Sequence, residues 1–446
     1  MNLLEKLIQQ SSRKDRIMSS KTYHFETLAL HAGQTVDATL SRGVPVYRTS
    51  SYVFKNTEHA ANLFALKEPG NIYTRLMNPT TDILEQRVSQ LEGGAASVAL
   101  ASGTAAIFYS IITLAEAGDN IVSANNLYGG TYTQFDAILP KLGITVKFVD
   151  PKDPQNFQKA IDGKTRALFV ETIGNPVLDY TDIKAVADVA HKNGLPLIVD
   201  ATFTTPYLLR TIELGADIVV NSLTKWLGGH GSAIGGIITD AGKFNWKGGR
   251  HKLFTEPDKN YHGLHWAIDL PESLAPIAFA LRVRTVPLRN LGAAISPDNS
   301  WIFIQGVETL PVRIVRHSEN ALRVALFLKK HPKVAWVRYP GLSDDPTYAL
   351  ASKYLKNGFG GMVVFGVRGG YDAAVKIIDN IKLFSHLANV GDAKSLILHP
   401  ASTSHSQLTE AQQRESGLTP DLVRLSIGLE HPDDLIEVLD DALSLT

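Results

Sequence analysis

The chain of 446 residues contains no cysteine. Disulfides, thiolate zinc sites, iron–sulfur clusters and cysteine nucleophiles are therefore excluded. Net charge is also lacking: 44 Lys and Arg balance 44 Asp and Glu, and no run of five or more like charges occurs. No whole-chain field exists to attract nucleic acid or an anionic membrane. No stretch approaches 18 consecutive apolar residues, the length of a membrane-spanning helix. What is present is ordinary for a folded globular protein, 44% hydrophobic and 20% charged. At roughly 100–200 residues per domain the length allows two or three domains. A functional site must be built from Lys, His, Asp, Arg, Tyr and backbone groups.

The first twenty residues carry Leu3, Leu4, Leu7 and Ile8 at helical spacing, followed by Arg13, Lys14 and Arg16. Glu5 and Asp15 are foreign to a transit peptide, and no apolar core of signal-peptide length is present. Residues 1–20 read as a mobile or partner-covered extension, and the cytoplasm is the expected location. Residues 21–80 are rich in polar turns and aromatics, and a segment of that length without its own core wraps another domain or subunit. From Thr81 a helix (Ile83, Leu84, Val88, Leu91) runs to Gly93-Gly94. Apolar runs at 97–101, 120–123, 145–149, 167–172, 195–200, 218–223 and 234–239 then alternate with helical stretches such as Thr181–His191. Such runs predict a mostly parallel sheet covered by helices, with the ligand outside the carboxyl ends of its strands. From about residue 286 a long helical pattern (302–330), short strand-like pieces (336–339, 361–367) and a final strand-helix unit indicate a smaller α/β domain. The expected division is 81–285 and 286–446.

Four strand ends carry polar residues that packing alone would not select. One strand ends in Asp200, another runs into Ser222-Leu223-Thr224-Lys225 and then Gly228-Gly229-His230-Gly231, where the glycines let backbone approach a ligand. A third enters Ser102-Gly103-Thr104 before a helix, whose start suits an anion. The fourth ends in Glu171-Thr172-Ile173-Gly174-Asn175-Pro176. Singly these have plain readings as a turn residue, a solvated lysine and a helix cap. Together an amine, a buried carboxylate and an anion cradle meet the needs of pyridoxal phosphate: a Schiff base, a partner for the ring nitrogen, and donors for phosphate. His262 and His265 have metal-like spacing but no supporting carboxylates or thiols, so no metal is expected. Neither a Walker A sequence nor a Rossmann glycine fingerprint occurs.

The stretch Asp200–Gly231, Tyr73-Thr74-Arg75-Leu76-Met77-Asn78-Pro79-Thr80, Leu127-Tyr128-Gly129-Gly130-Thr131-Tyr132, Leu387–Ala393 and His399-Pro400-Ala401 carry a resemblance. Through them the chain resembles the Cys/Met-metabolism pyridoxal-phosphate enzymes, the cystathionine gamma-synthase-like group, and within it the fungal and bacterial O-acetylhomoserine sulfhydrylases. The resemblance runs from His24 to Thr446. It implies an aminotransferase-type large domain with a smaller C-terminal α/β domain, in a homo-oligomer expected to be a dimer of dimers. It implies that Lys225 holds the cofactor and moves protons, and that Asp200 keeps the ring nitrogen protonated. Gly103, Thr104, Ser222 and Thr224 would bind phosphate, helped by Tyr73 and Arg75 of a neighbouring subunit. Tyr128 would stack on the ring. Asn175 would lie near the cofactor's phenolic oxygen or the substrate carboxylate, and Asn389 near the substrate. Arg424, otherwise read as a solvent-facing residue on an edge strand, would be the fork for the α-carboxylate.

The implied reaction is γ-replacement on an O-acylated homoserine, O-acetylhomoserine with sulfide giving homocysteine. Alternatives are the same ester with a carbon or nitrogen nucleophile in specialised metabolism, or a γ-lyase acting on a sulfur amino acid. Departures from the family pattern bear on this choice: Ala201-Thr202 follows Asp200, Thr104 stands where Gln or Met is common, Asp298 replaces an aromatic, and Thr204-Thr205-Pro206-Tyr207 is lyase-like.

Overall fold

The computed structural model describes residues 23–174, 177–248, 250–403 and 417–446. The expectations for residues 1–20 and for Asn175 lie outside the described residues. A seven-stranded sheet comprises β1 (Ala96–Leu100), β2 (Asn120–Ala124), β3 (Thr145–Val149), β4 (Thr165–Glu171), β5 (Leu197–Asp200), β6 (Ile218–Asn221) and β7 (Gly236–Asp240). Its order is β1-β7-β6-β5-β4-β2-β3. Strands β2 to β6 are parallel, as the apolar runs predict, while β7 is antiparallel to both β1 and β6. Every residue of β2 and β6 is buried, whereas the edge strand β3 is exposed or half-buried along its length. Leu223 and Ile234, apolar enough to be read as strand, lie instead in the connection between β6 and β7 that carries Lys225.

Helix α1 (Pro79–Glu92) begins earlier than the apolar pattern indicates. Asn78 caps it by accepting from Thr80 N–H, Pro79 occupies the first turn, and Gly93 at φ 76° ends it. Helix α2 (Gly103–Leu114) leaves β1 through a Ser102 cap, and α3 (Ile183–Lys192) is capped by Asp182. The long helical pattern at 302–330 resolves into α4 (Pro297–Glu308) and α5 (Leu310–Lys330). Thr309 leaves helical geometry (φ −102°, ψ 4°), and Pro311, which has no N–H to give to a continuing helix, sits in the first turn of α5. Helix α4 lies on α1, where the hydroxyls of Thr81 and Ser300 meet at 2.9 Å.

The second sheet contains β8 (Val334–Arg338), β9 (Met362–Val367), β10 (Ser385–His386), β11 (Leu396–Leu398) and β12 (Leu422–Ser426), in the order β10-β11-β12-β9-β8. Helices α6 (Gly370–Asn380) and α7 (Pro432–Ser444) cover it, with Ile377, Leu435 and Leu439 in one core with Val363 and Phe365. β12 is an interior strand, which determines the surroundings of Arg424. Among the described residues, no helix is long and apolar enough to cross a membrane.

Glu92, the last residue of α1, is fully buried and its Oε1 accepts from Asn221 Nδ2 at 2.7 Å. Its Oε2 and Asn221 Oδ1 have no partner among the described residues. Burial pushes the carboxyl up to about 8, so the native chain holds a proton that the unfolded chain gives up. This contribution to stability is complete below the ordinary carboxylate range and is lost as pH rises through about 8. Glu92→Gln should therefore flatten the loss of Tm between pH 6 and pH 9, by roughly 2 °C or more at the alkaline end. Parallel Tm–pH curves for the two proteins contradict this.

Candidate active site

The carboxyl ends of β4, β5 and β6 face the start of α2 and the loop before β11 across a cavity of about 310 Å³. Each strand of a parallel sheet delivers its last residue there, and a cavity of this size suits a small cofactor with an amino acid.

Two acids form the floor. Glu171 and Asp200 are register partners on β4 and β5, so both side chains emerge on the same face. Asp200 Oδ1 accepts from Thr202 N–H at 2.9 Å, and Glu171 Oε1 accepts from Tyr128 N–H at 2.7 Å. Neither acid is in an ion pair among the described residues. Burial raises Asp200, with the Thr202 hydrogen bonds opposing. Glu171 is raised well above the usual range, first by burial and then by the adjacent Asp200. Two carboxyls packed without a cation cannot both ionise cheaply. A cationic ring nitrogen bound here would supply the missing charge.

At one end lies an anion cradle. Ser102 caps α2, accepting from Ala105 N–H at 3.1 Å and meeting the Thr104 hydroxyl at 3.0 Å. A Cβ on Gly103 would stand 2.7 Å from Ser222 Cβ, so only glycine lets the helix start approach the turn after β6. Ser222 and Thr224 line the same space. Backbone N–H groups at a helix start with adjacent hydroxyls fit a phosphate.

Lys225 enters from the turn Leu223–Leu227, where its own backbone is non-helical (φ −93°, ψ −129°). Its Nζ donates to Asn389 Oδ1 at 2.5 Å. Burial, and secondarily the Arg424 guanidinium, lower the amine from 10.5 to about 8. A neutral fraction of about a tenth at pH 7, far above that of an ordinary lysine, suits it to act as a nucleophile and proton acceptor. Arg424 lines the same cavity from β12 and is 7% exposed, not solvent-facing. Burial lowers its guanidinium to about 10, still charged at neutral pH. Tyr128 is half exposed at the cavity edge, and Gly130 keeps its ring in place, since a Cβ there would sit 2.6 Å from the ring.

The structure thus brings Gly103, Thr104, Tyr128, Asp200, Ser222, Thr224, Lys225, Asn389 and Arg424 to one cavity. Tyr73 and Arg75 do not line it; both are exposed, with the Arg75 guanidinium 5.3 Å from the Tyr73 ring centroid. One expectation is corrected. Gly228 and Gly229 do not admit a ligand: a Cβ on the first would meet Phe303 at 2.9 Å, and on the second the Arg313 guanidinium at 2.1 Å. These glycines make room for α4 and α5. Sequence reasoning also left Glu171 and Thr202 without roles. Thr202 contacts Asp200, and its Oγ1 accepts from Ser222 N–H at 2.9 Å. The signal for Glu171 was present, a second acid at a buried strand end one strand from Asp200.

An amine, a carboxylate pair lacking a cation and a phosphate cradle in one cavity fit pyridoxal phosphate, and comparison with known proteins agrees. The family profile of Cys/Met metabolism PLP-dependent enzymes matches residues 26–444. An O-acetyl-L-homoserine sulfhydrylase of Leptospira meyeri is 57% identical, the match covering 94% of this chain and 96% of that protein. A homocysteine synthase of Schizosaccharomyces pombe is 50% identical over 96% of this chain and 100% of its own length. A crystal structure from Campylobacter jejuni, described as an O-acetylhomoserine (thiol)-lyase carrying N′-pyridoxyl-lysine-5′-monophosphate, superposes with a TM-score of 0.91 at 42% identity, covering 95% of this chain and 100% of that one. The chain is a member of the Cys/Met-metabolism pyridoxal-phosphate-dependent enzymes.

Proposed function

We propose that the chain catalyses γ-replacement on O-acetylhomoserine, with sulfide as the incoming nucleophile and homocysteine and acetate as products. The observation that carries the reading is the placement of the Lys225 amine and the Arg424 guanidinium in one cavity above two buried acids. Relatives at 57% and 50% identity that bear the names O-acetyl-L-homoserine sulfhydrylase and homocysteine synthase support the substrate.

Bound pyridoxal phosphate supplies an electron sink for the bonds at the amino acid's Cα. The chain's own residues do the rest. Arg424 grips the α-carboxylate with two parallel N–H donors, so productive substrates are α-amino acids. Lys225 Nζ, close to half neutral at pH 8, takes the Cα proton and later returns a proton to the product. Asp200 would carry the negative charge that a protonated ring nitrogen needs, while Glu171 remains protonated and holds Tyr128 by its backbone. Tyr128, at the cavity edge, would cover the ring and offer its hydroxyl to the leaving acetate. Asn389, whose Oδ1 accepts from the free Lys225 amine, orients that amine once it is released for proton transfer. Tyr73 and Arg75, exposed on their own chain, complete the phosphate site of a neighbouring subunit, which makes the enzyme an oligomer, a dimer of dimers in the cytoplasm.

Mass analysis of products from O-acetylhomoserine offered with sulfide, with an organic thiol and with neither tests this function. Homocysteine formed only with sulfide supports it. Release of 2-oxobutanoate and ammonia at the same rate without any nucleophile makes the chain a γ-lyase instead.

The role of Arg424 gives a sharper expectation. Arg424→Lys retains a cation but not the fork. Its kcat/KM for O-acetylhomoserine should fall about 10²-fold, corresponding to roughly 3 kcal/mol for a bond between charged groups. The visible absorption of bound cofactor should stay unchanged. A kcat/KM within about twofold of wild type removes Arg424 from the carboxylate site.

A further inference from the structure

Helix α5 buries three polar residues on one face: Arg313, His317 and Asn320. Among the described residues no carboxylate pairs with Arg313. Its guanidinium donates instead to carbonyls, Nη1 to Trp226 at 2.9 Å and Nη2 to Leu227 at 3.1 Å and Gly306 at 2.6 Å. Trp226 and Leu227 are the two residues after Lys225. The Arg313 Nε also donates to the Thr309 hydroxyl at 3.2 Å. A guanidinium buried against neutral acceptors alone is costly to place, and the chain is shaped to admit it. A Cβ on Gly229 would overlap its Nη1, and one on Gly306 would stand 2.3 Å from Gly228 O.

One turn further along α5, His317 Nδ1 donates to Ile427 O at 2.6 Å, and the ring meets Trp226 edge-on with centroids 4.9 Å apart. A carbonyl only accepts, so the imidazole proton is on Nδ1. Asn320 Nδ2 then donates to Gly428 O at 3.0 Å and Glu430 O at 2.9 Å. Ile427 and Gly428 directly follow β12, the strand of Arg424. One helix face therefore holds the backbone behind the amine and the backbone behind the carboxylate fork.

We propose that Arg313 is a positioning residue for the reaction. It fixes the turn behind Lys225, while His317 and Asn320 fix the exit of β12, so that α5 acts as a strut setting the separation of amine and guanidinium across the cavity. Arg313 does not line the cavity and acts only through backbone. The inference rests on the roles given above to Lys225 and Arg424.

The test uses the cofactor-loaded enzyme with Arg313→Lys, His317→Phe and, as a control, Arg282→Lys. Arg282 is a buried arginine that bonds Thr113 O at 2.7 Å and does not line the cavity. Arg313→Lys should lower kcat about tenfold or more, with KM for O-acetylhomoserine within about threefold, because it displaces the proton carrier and not the fork. The visible circular dichroism of the bound cofactor should change with it. His317→Phe keeps the ring against Trp226 but loses the bond to Ile427, so it should raise KM about tenfold with kcat and dichroism near wild type. Arg282→Lys should move none of these at a comparable loss of Tm. Changes in Arg313→Lys no larger than those of Arg282→Lys overturn the proposal. If Arg313→Lys does not fold, His317→Phe decides, and an unchanged KM overturns it. A wild-type protein that binds no cofactor through Lys225 refutes the underlying reading instead, and borohydride fixation distinguishes that failure.

Discussion

Two carboxyls side by side at the ends of β4 and β5, Glu171 buried and Asp200 half-buried against the cavity, constrain everything around them. Glu171 and Asp200 face the same cavity, accept hydrogen bonds from Tyr128 and Thr202 backbone, and have no ion-pair partner among the described residues. Burying one such acid is costly and burying two in contact more so, unless a cation arrives between them and the solvent. In the proposed mechanism the cationic ring of a bound cofactor would meet that need. The floor of the cavity is thus a binding determinant before it is catalytic, and the same burial that raises the acids lowers Lys225 to about 8. One low-dielectric pocket shifts acids and amine toward their neutral forms, which favours an amine that attacks and leaves Asp200 in need of a cation beside it to hold its charge.

The rest of the fold keeps these groups in register. Parallel strands β4, β5 and β6 end together, so Glu171, Asp200 and the Lys225 turn lie on one edge. Arg424, the proposed carboxylate fork, comes from the other sheet, so the separation of the two sheets sets its distance from Lys225. The Asn389 contact to Lys225, the bond from Ala393 N–H to Gly229 O at 2.8 Å and the polar face of α5 all span that junction. Hydrogen bonds spread along a rigid helix define a separation more closely than apolar packing, which tolerates sliding.

Much of this was legible in the sequence, for physical reasons. Continuous Val/Ile/Leu runs exposed the buried strands, and polar residues at their ends exposed the cavity edge. Direction was not legible: β7 is as apolar as its neighbours, and nothing in Gly236–Asp240 states that it runs antiparallel. The break at Thr309 was hidden because Leu310-Pro311 continues the helical period of apolar residues while Pro311 starts a new helix. Gly228-Gly229 looked like ligand contacts because glycine reports only close approach, and the approaching groups, Phe303 and Arg313, lie far along the chain. Glu171 escaped a role because a single acid ending a strand resembles any turn residue until its register partner is known.

The central claim, that Asp200, the ionised member of the pair, holds a cationic ring, is tested most directly by ¹⁵N NMR of cofactor labelled at the ring nitrogen, bound to wild type, Glu171→Gln and Asp200→Asn proteins. The account predicts a protonated-nitrogen shift in wild type and in Glu171→Gln throughout the neutral range, and its loss in Asp200→Asn. The same shift in all three proteins contradicts it.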